Sequence, residues 1–367
     1  MEFIKITLGE ISVGKGQYGI GASAVEYSKD LYTYLRITDI NDDGTLNMLD
    51  LKSVDDKKAA QYVMKPNDIV FARTGNSTGR NYFYDGSDGT FVYAGFLIKF
   101  SIDPSKVNPK YIKYYCLSNE YKNWVRGHST GSTRGNINAQ TYANMEITLP
   151  PRAQQDKLVS ILENLDLKRK NNAEINRNLS EQLKVIFSKM FPTIADNGSN
   201  TLEEIISFSN GKKRPDTEGK VPVYGGNGIL SYTDKSNAEN CVIIGRVGAY
   251  CGSLYLSIEP CWISDNAIKA EAKNSKSQMF IYYLLQELAL SNRHIGTSQP
   301  LLTQGILNAI PFTCPSEEGI ISFCKKADDI QKLIDMNTIE NKRLSELRDT
   351  LLPKLMSGEL DVSDLNI

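Results

Sequence analysis

Histidine and tryptophan are nearly missing from this chain of 367 residues, which holds two of each. Triads and metal clusters built on imidazole therefore have almost no material, because they need a positioned base or several ligands together. Six cysteines stand at 116, 241, 251, 261, 314 and 324 without a Cys-x-x-Cys pair. Neither a zinc site nor a disulfide framework is expected from them, and buried reduced thiols are. No run of eighteen apolar residues occurs, and the opening MEFIKITLGE carries an acidic residue at once and lacks a signal-like apolar core. The expectation is a cytoplasmic protein with no membrane partner. A phosphate-binding loop is lacking too, since Gly14-Lys15, Gly211-Lys212 and Gly219-Lys220 are each followed by a residue other than Ser or Thr. The Asp/Asn-Pro-Pro-aromatic motif that polarises an adenine amino group is missing, and the single Pro-Pro is Pro150-Pro151. Pro215-Asp216 with Glu271-Ala-Lys273 formally resembles a nuclease carboxylate set, but the pattern is degenerate and its gap too long. No catalytic residue, metal ligand or cofactor site is nominated.

An excess of one charge is also lacking, with 42 Lys plus Arg against 43 Asp plus Glu. Apolar residues at 41% and charged residues at 23% are ordinary for a folded soluble protein, and the length suits about two domains. By segment the net charge is +1 for 1–150, +3 for 151–192, −1 for 193–315 and −4 for 316–367. No segment is a polycation, so any nucleic-acid contact rests on local basic loops.

What is present is a repeat. Arg73-Thr-Gly75-Asn-Ser-Thr-Gly79 after Ile69, Val70 and Phe71 matches Arg246-Val-Gly248-Ala-Tyr-Cys-Gly252 after Val242, Ile243 and Ile244, at an offset of 173. FVYAGFLIKF (91–100) pairs with CWISDNAIKA (261–270) at 170, and from Ile137 with Leu302 to Met190 with Leu355 one offset of 165 holds without a gap. In the gap-free part, apolar residues recur at three and four: Leu158, Ile161, Leu165, then Ile175, Leu179, Leu183, Ile186 and Met190. Its second copy runs Ile320, Phe323, Ala327, Ile330, Ile334, Asn337, Asn341, Leu344, Leu347, Leu351 and Leu355, which is long-helix or coiled-coil spacing. Lys168 and Asn172, and Asn337 and Asn341, put polar groups on the seam, with Asn172 and Asn337 equivalent. Buried polar seam residues fix register, so two helices made to meet each other are expected, with two amphipathic helices on separate cores as the other reading. About 38 residues of helix span roughly 57 Å, a spacer's length.

The expected order is a globular domain over 1–150, a helix over 151–192, a second domain over 193–315, a helix over 316–358 and a tail over 359–367. Pro150-Pro151 and Pro315 stop strands before the helices, and Pro192 and Gly358 follow them. Short Val, Ile, Tyr and Phe runs broken by Asp43-Gly44, Asp85-Gly86 and Asp88-Gly89 make each domain α/β or β-rich. Each also holds one helix-like stretch, 109–124 and 276–290.

Glycines in the Arg73 to Arg80 run (with Asn76, Ser77 and Thr78) let backbone approach a ligand, and its arginines can form forked contacts to phosphate or guanine. Arg246 and Tyr250 stand in its twin. A structural salt bridge is the competing reading of these arginines. His128 and His294 each precede a Gly/Ser/Thr stretch, with Ser129, Thr130, Ser132, Arg134 and Asn136 in one copy and Ser298 and Gln299 in the other. These read equally as DNA-facing loops or as polar connections. Lys15, Gln17 and Tyr18, and Lys212, Lys213 and Arg214 with Tyr224 and Asn227, set cations beside aromatic or amide groups, as groove readers and solvated turns both do. The helix-seam set is Leu158, Leu165, Asn172, Leu179, Ile186, Ile330, Asn337, Leu344 and Leu351.

LRDTLLPKLMSGEL (347–360) resembles the end of the second helical region in specificity subunits of Type I restriction-modification systems. FARTGNSTGR, VYAGFLIKF, STGSTRGNINAQ and the LPP before the first long helix resemble that family's first target-recognition domain. The resemblance covers essentially the whole chain. It implies an α/β fold with two pseudo-repeated target-recognition domains separated by two long antiparallel coiled-coil-like helices. It further implies a subunit without its own active site, in which each domain reads one half of an interrupted double-stranded DNA site. The helices would set the spacing and dock two methyltransferase subunits, with motor-nuclease restriction subunits joining for cleavage. S-adenosylmethionine, ATP and magnesium would belong to those partners. Pro300-Leu-Leu-Thr-Gln304 stands where the first copy has Gly135-Asn-Ile-Asn-Ala-Gln140, so the two halves are expected to read different sequences. The alternatives are a coiled-coil scaffold with ligand-binding end domains, and a free-standing DNA-modifying enzyme.

Overall fold

The computed structural model describes residues 3–48, 50–129, 135–195, 198–296 and 299–362. It divides into two units, Met1–Lys170 with Asn341–Ile367, and Asn171–Glu340. The division cuts both long helices, Arg152–Met190 and Glu317–Met356, near their middles.

In the first unit the apolar run at Asp68–Ala72 forms a fully buried strand, as a continuous apolar segment does when both faces are covered. Asn81–Tyr84 and Leu97–Ser101 flank it antiparallel, and Gln17–Tyr18 adds beyond the latter. A second sheet orders Ala24–Glu26, Lys52–Val54, Tyr32–Leu35 and Phe91–Tyr93, the last two parallel. The second unit repeats this plan. Cys241–Gly245 is its buried central strand, between Leu254–Ser257 and Ala267–Ala272, with Ile206–Asn210 on the outer side. Its companion sheet has three strands, Gly228–Thr233, Val221–Gly225 and Trp262–Ile263.

Strand register extends the repeat to where sequence similarity is not visible. Ile98 lies opposite Tyr18, and its twin Ile268 lies opposite Asn210, so Tyr18 and Asn210 are equivalent. Between Tyr18 and Arg73 lie 55 steps of chain, and between Asn210 and Arg246 only 36, which accounts for the shorter companion sheet.

Each expected helical stretch is broken. The first is two helices, Pro109–Tyr115 and Asn119–Ser129. Leu117 N and Ser118 N close turns on the Tyr114 and Tyr115 carbonyls, and the Ser118 hydroxyl accepts from Tyr121 N as a new N-cap. The second begins with the 3₁₀ turn Ser275–Ser277, continues as Gln278–Glu287 and stops where Ala289 takes φ 46°.

The two long helices run antiparallel in each unit, and their ends seal the cores. In the first unit Leu158, Val159 and Leu162 from one helix, and Leu352, Leu355 and Met356 from the other, join Tyr111, Tyr115, Tyr142 and Ile147. In the second, Leu183, Phe187 and Phe191 meet Phe323, Cys324, Ala327 and Phe280. These sets are repeat twins with the helices exchanged: Leu158 corresponds to Phe323, and Phe187 to Leu352. Burying each such side chain contributes roughly 1.5–3 kcal/mol. Both sequence readings of the helices therefore hold, with apolar ends packed on separate cores and polar middles meeting each other.

In the first unit Asn341 Nδ2 donates to the Arg169 carbonyl at 3.2 Å. In the second, Asn176 Nδ2 donates to the equivalent Ile334 carbonyl at 3.1 Å, Asn337 Nδ2 to Asn176 Oδ1 and buried Asn172 to Glu340 Oε2. Two positions of the expected stripe are corrected. Ile175 and Leu347 face solvent, about half exposed, while neighbouring Asn176 and Arg348 turn inward. The polar contacts set the helix phase there, so the apolar spacing was out by one residue. Leu165, Leu179, Ile186, Ile330, Leu344 and Leu351 are half-buried.

Candidate nucleic-acid interface

Both halves build one loop frame beside the central strand. After Asp68–Ala72 the chain leaves through Arg73, makes a 3₁₀ turn at Gly75–Ser77 and returns, Gly79 N donating to the Ala72 carbonyl at 2.9 Å. After Cys241–Gly245 it leaves through Arg246, turns at Gly248–Tyr250 and returns, Gly252 N donating to the Gly245 carbonyl at 2.8 Å. The glycines are required here: Gly75, Gly79, Gly248 and Gly252 have φ of 75°, 87°, 72° and 85°. A Cβ on Gly79 would strike the Val125 side chain, and one on Gly252 the Ser291 backbone.

Each arginine is clasped by its backbone in the same way. Arg73 N donates to the Phe96 carbonyl and its own carbonyl accepts from Ile137 N; Arg246 does the same with Asn266 and Leu302. The residues after them pair across, Thr74 with Asn136 and Val247 with Leu301. Loops separated by some sixty residues of chain thus meet at one place in each half. Next to it sits a short helix, Ala139–Ala143 or Gln304–Asn308, capped by the Asn138 or Thr303 side chain.

Among the described residues both Arg73 Nε and Arg246 Nε are buried without a hydrogen-bond partner. Buried polar atoms are ordinarily satisfied, so this orphan at twin positions is an unusual feature that both frames share. Arg80, by contrast, is spent internally, donating from Nε to Asp42 Oδ1 at 2.7 Å and from NH1 to the Ile40 carbonyl. Arg80 is thus tied into an ion pair with Asp42.

The remaining candidates scatter in accessibility. Lys15, Gln17, Tyr18, Asn76 and Asn136 are exposed in the first unit, and Lys212, Lys213, Arg214, Asn227, Tyr250 and Gln299 in the second. Tyr18 joins the Arg73 frame, its ring centroid 5.1 Å from the guanidinium carbon and its hydroxyl accepting from Ala139 N. Thr78 turns its hydroxyl to the Gly75 and Gly135 carbonyls, and Ser77 is buried. Tyr224 is half-buried 6.2 Å from the Tyr255 ring, and burial raises its phenol pKa. It corresponds to buried Leu35, which gives it a packing role. Lys212 N pairs with the Ile263 carbonyl, beyond the strand that carries Asn210, so Lys212–Arg214 are not the twins of Lys15–Tyr18. Ser129 closes the helix Asn119–Ser129, while Thr130, Ser132, Arg134 and Ser298 lie outside the described residues.

Sequence reasoning missed Phe96, Asn210, Asn266 and Gln304. Phe96 and Asn266 were visible as twins at offset 170, but a lone exposed residue in a turn carries no periodic signal. Asn210 could be found only through strand register. With its carboxamide turned to satisfy both ends, Gln304 donates to the Phe208 carbonyl at 3.1 Å and accepts from Asn210 N at 3.2 Å. Among the described residues no group of three or more His, Cys, Asp and Glu could hold a metal ion.

Two α/β domains, each presenting one copy of the same arginine frame and each closed by the ends of two long helices, define an internally duplicated class of protein. The family described as the Type I restriction modification DNA specificity domain matches residues 5–183 and 196–349, and the chain belongs to it. It is thus a Type I DNA specificity subunit with two recognition domains. The specificity subunit of the Type I restriction enzyme HindI from Haemophilus influenzae is 22% identical over 456 residues, covering 94% of this chain and 99% of that one. The crystal structure of a Type I restriction-modification S subunit from M. genitalium has the same fold, with a TM-score of 0.54, 20% identity and 96% of both chains covered. No helix among the described residues is long and apolar enough to cross a membrane.

Proposed function

We propose that each recognition domain reads one half of a bipartite, interrupted DNA site through its arginine frame, and that the subunit works without catalysis of its own. The carrying observation is that Arg73 and Arg246 are clasped by the same backbone contacts and glycine turns in both domains. The helix pair sets the distance between half-sites and docks two methyltransferase subunits, which bring S-adenosylmethionine. Motor-nuclease subunits with ATP and magnesium complete the cytoplasmic restriction complex. Neutral overall charge supports this division, because affinity is then completed by partners around the duplex. Two linked modules also gain effective concentration at a correctly spaced site. Domain boundaries at 1–150 and 193–315, with helices over 151–192 and 316–358 and a tail over 359–367, belong to the same proposal.

The test is adenine-methylation mapping by long-read sequencing in cells expressing this chain with its neighbouring methyltransferase, against the methyltransferase alone. A two-part interrupted motif that needs this chain is the expected result. A stable complex that writes no new methylation overturns the proposal in favour of a scaffold.

A further inference from the structure

The two arginine frames share their backbone but not the side chains around them. In the first domain Arg73 lies on the ring of Tyr18, which is 42% exposed, and its backbone is clasped by Phe96, which is 58% exposed. In the second, the twin of Tyr18 is exposed Asn210, held by Gln304 through both its backbone N–H and its side-chain amide, and the twin of Phe96 is exposed Asn266. An aromatic pair in one half is thus replaced by an amide pair in the other, at identical places in the frame.

The chemistry of the two sets differs. A guanidinium lying on an aromatic ring loses freedom at its planar face and keeps its terminal N–H groups for a forked contact, the geometry that matches guanine O6 and N7. An exposed aromatic beside it favours apolar contact, such as the thymine methyl group. Carboxamides offer a donor and an acceptor together, which matches adenine N6 and N7. Large exposed rings at a polar surface cost hydration unless something covers them, whereas exposed asparagines do not.

We infer that Tyr18 with Phe96, and Asn210 with Asn266, are the residues that make the two half-sites different. Tyr18 is a positioning residue that holds Arg73 against a guanine flanked by thymine. Asn210 and Asn266 select an adenine beside the base that Arg246 meets. This rests on the reading of the chain as a DNA reader with two recognition domains.

The experiment maps methylation motifs of the complete methyltransferase complex carrying Tyr18→Asn with Phe96→Asn, Tyr18→Phe, or Asn210→Tyr with Asn266→Phe. The first double variant should lower discrimination by about tenfold to a hundredfold at one or two adjacent base pairs of one half-site, leaving the other half-site unchanged. Tyr18→Phe keeps the ring and should retain the wild-type motif, and the reciprocal variant should alter only the opposite half. Uniformly weaker methylation with both half-sites unchanged in the two double variants would overturn the inference and make these residues phosphate or packing contacts. A wild-type complex that writes no two-part motif would instead remove the underlying reading, so the two failures are distinguishable.

Discussion

The first domain stabilises its frame with buried charge where the second uses apolar or neutral groups. Asp68, at 1% exposure, pairs with Lys99 at 3.2 Å and accepts from Ser101 Oγ; its register twin is Cys241, with its sulfur 4.0 Å from Cys261. Lys269, the twin of Lys99, turns instead to Glu271 at 2.8 Å. At the helix ends, Arg348 is buried within 3.5 Å of Asp166, which also receives Lys113 and the Tyr114 hydroxyl. Their twins at offset 165 are buried Leu183 and half-buried Gln331. The same backbone therefore tolerates a charged or a neutral filling, provided that the whole set changes together. A buried charge is costly alone and tolerable paired, so partners must change in concert.

The largest effect should come from breaking this asymmetry on one side only. Asp68→Ala leaves Lys99 unpaired and should cost about 3–5 kcal/mol. Its twin Cys241→Ala removes one small apolar group and should cost about 1 kcal/mol. Equilibrium urea unfolding of the two full-length variants measures the contrast, and equal losses would refute it.

Next comes the helix-end network. Arg348→Ala should cost about 3 kcal/mol, whereas Arg348→Leu with Asp166→Gln, which copies the second domain, should cost less than either single change. Double-mutant denaturation settles the sign. The network also carries a pH dependence. Burial alone would raise the Asp166 pKa, but Lys113, the Tyr114 hydroxyl and Arg348 more than reverse this and hold it below its ordinary 3.8. A depressed folded-state pKa means stabilisation that is present above the ordinary value and lost as pH falls through the folded one. Wild type should therefore lose more stability than Asp166→Gln on going below about pH 4. Asp328 in the second unit has the opposite sign, because burial raises its pKa.

The smallest expected effect concerns DNA. Arg73→Ala or Arg246→Ala should each weaken binding by the assembled complex by about 1–3 kcal/mol if it makes a forked base contact. A fluorescence-anisotropy titration at fixed salt checks it, and unchanged affinity for both would remove the arginines from the interface.

Much of the layout is legible in the residues. Three-and-four spacing shows both long helices, and the gap-free 165 offset shows that the chain is duplicated, since helices tolerate few insertions without losing phase. Buried strands such as Ile69-Val70-Phe71 are visible as apolar runs between turn residues. The interface was partly legible, with Arg73 and Arg246 marked by their shared glycine frame. Arg80 looked similar in the chain and proved to be tied to Asp42, because a salt bridge depends on a partner 38 residues away.

By itself the sequence determined the duplication, the two long helices and the twin arginine loops, because these rest on local periodicity and on glycines that local backbone geometry demands. Only the tertiary structure decided which residues surround each arginine. Tyr18, Phe96 and Ala139 meet at Arg73, as Asn210, Asn266 and Gln304 meet near Arg246, through strand register and loop crossings that bring together distant stretches of chain. Tertiary packing likewise chose Asn176 over Ile175 and Arg348 over Leu347 for the inward face, because hydrogen bonds and ion pairs across two helices outweighed the local apolar pattern.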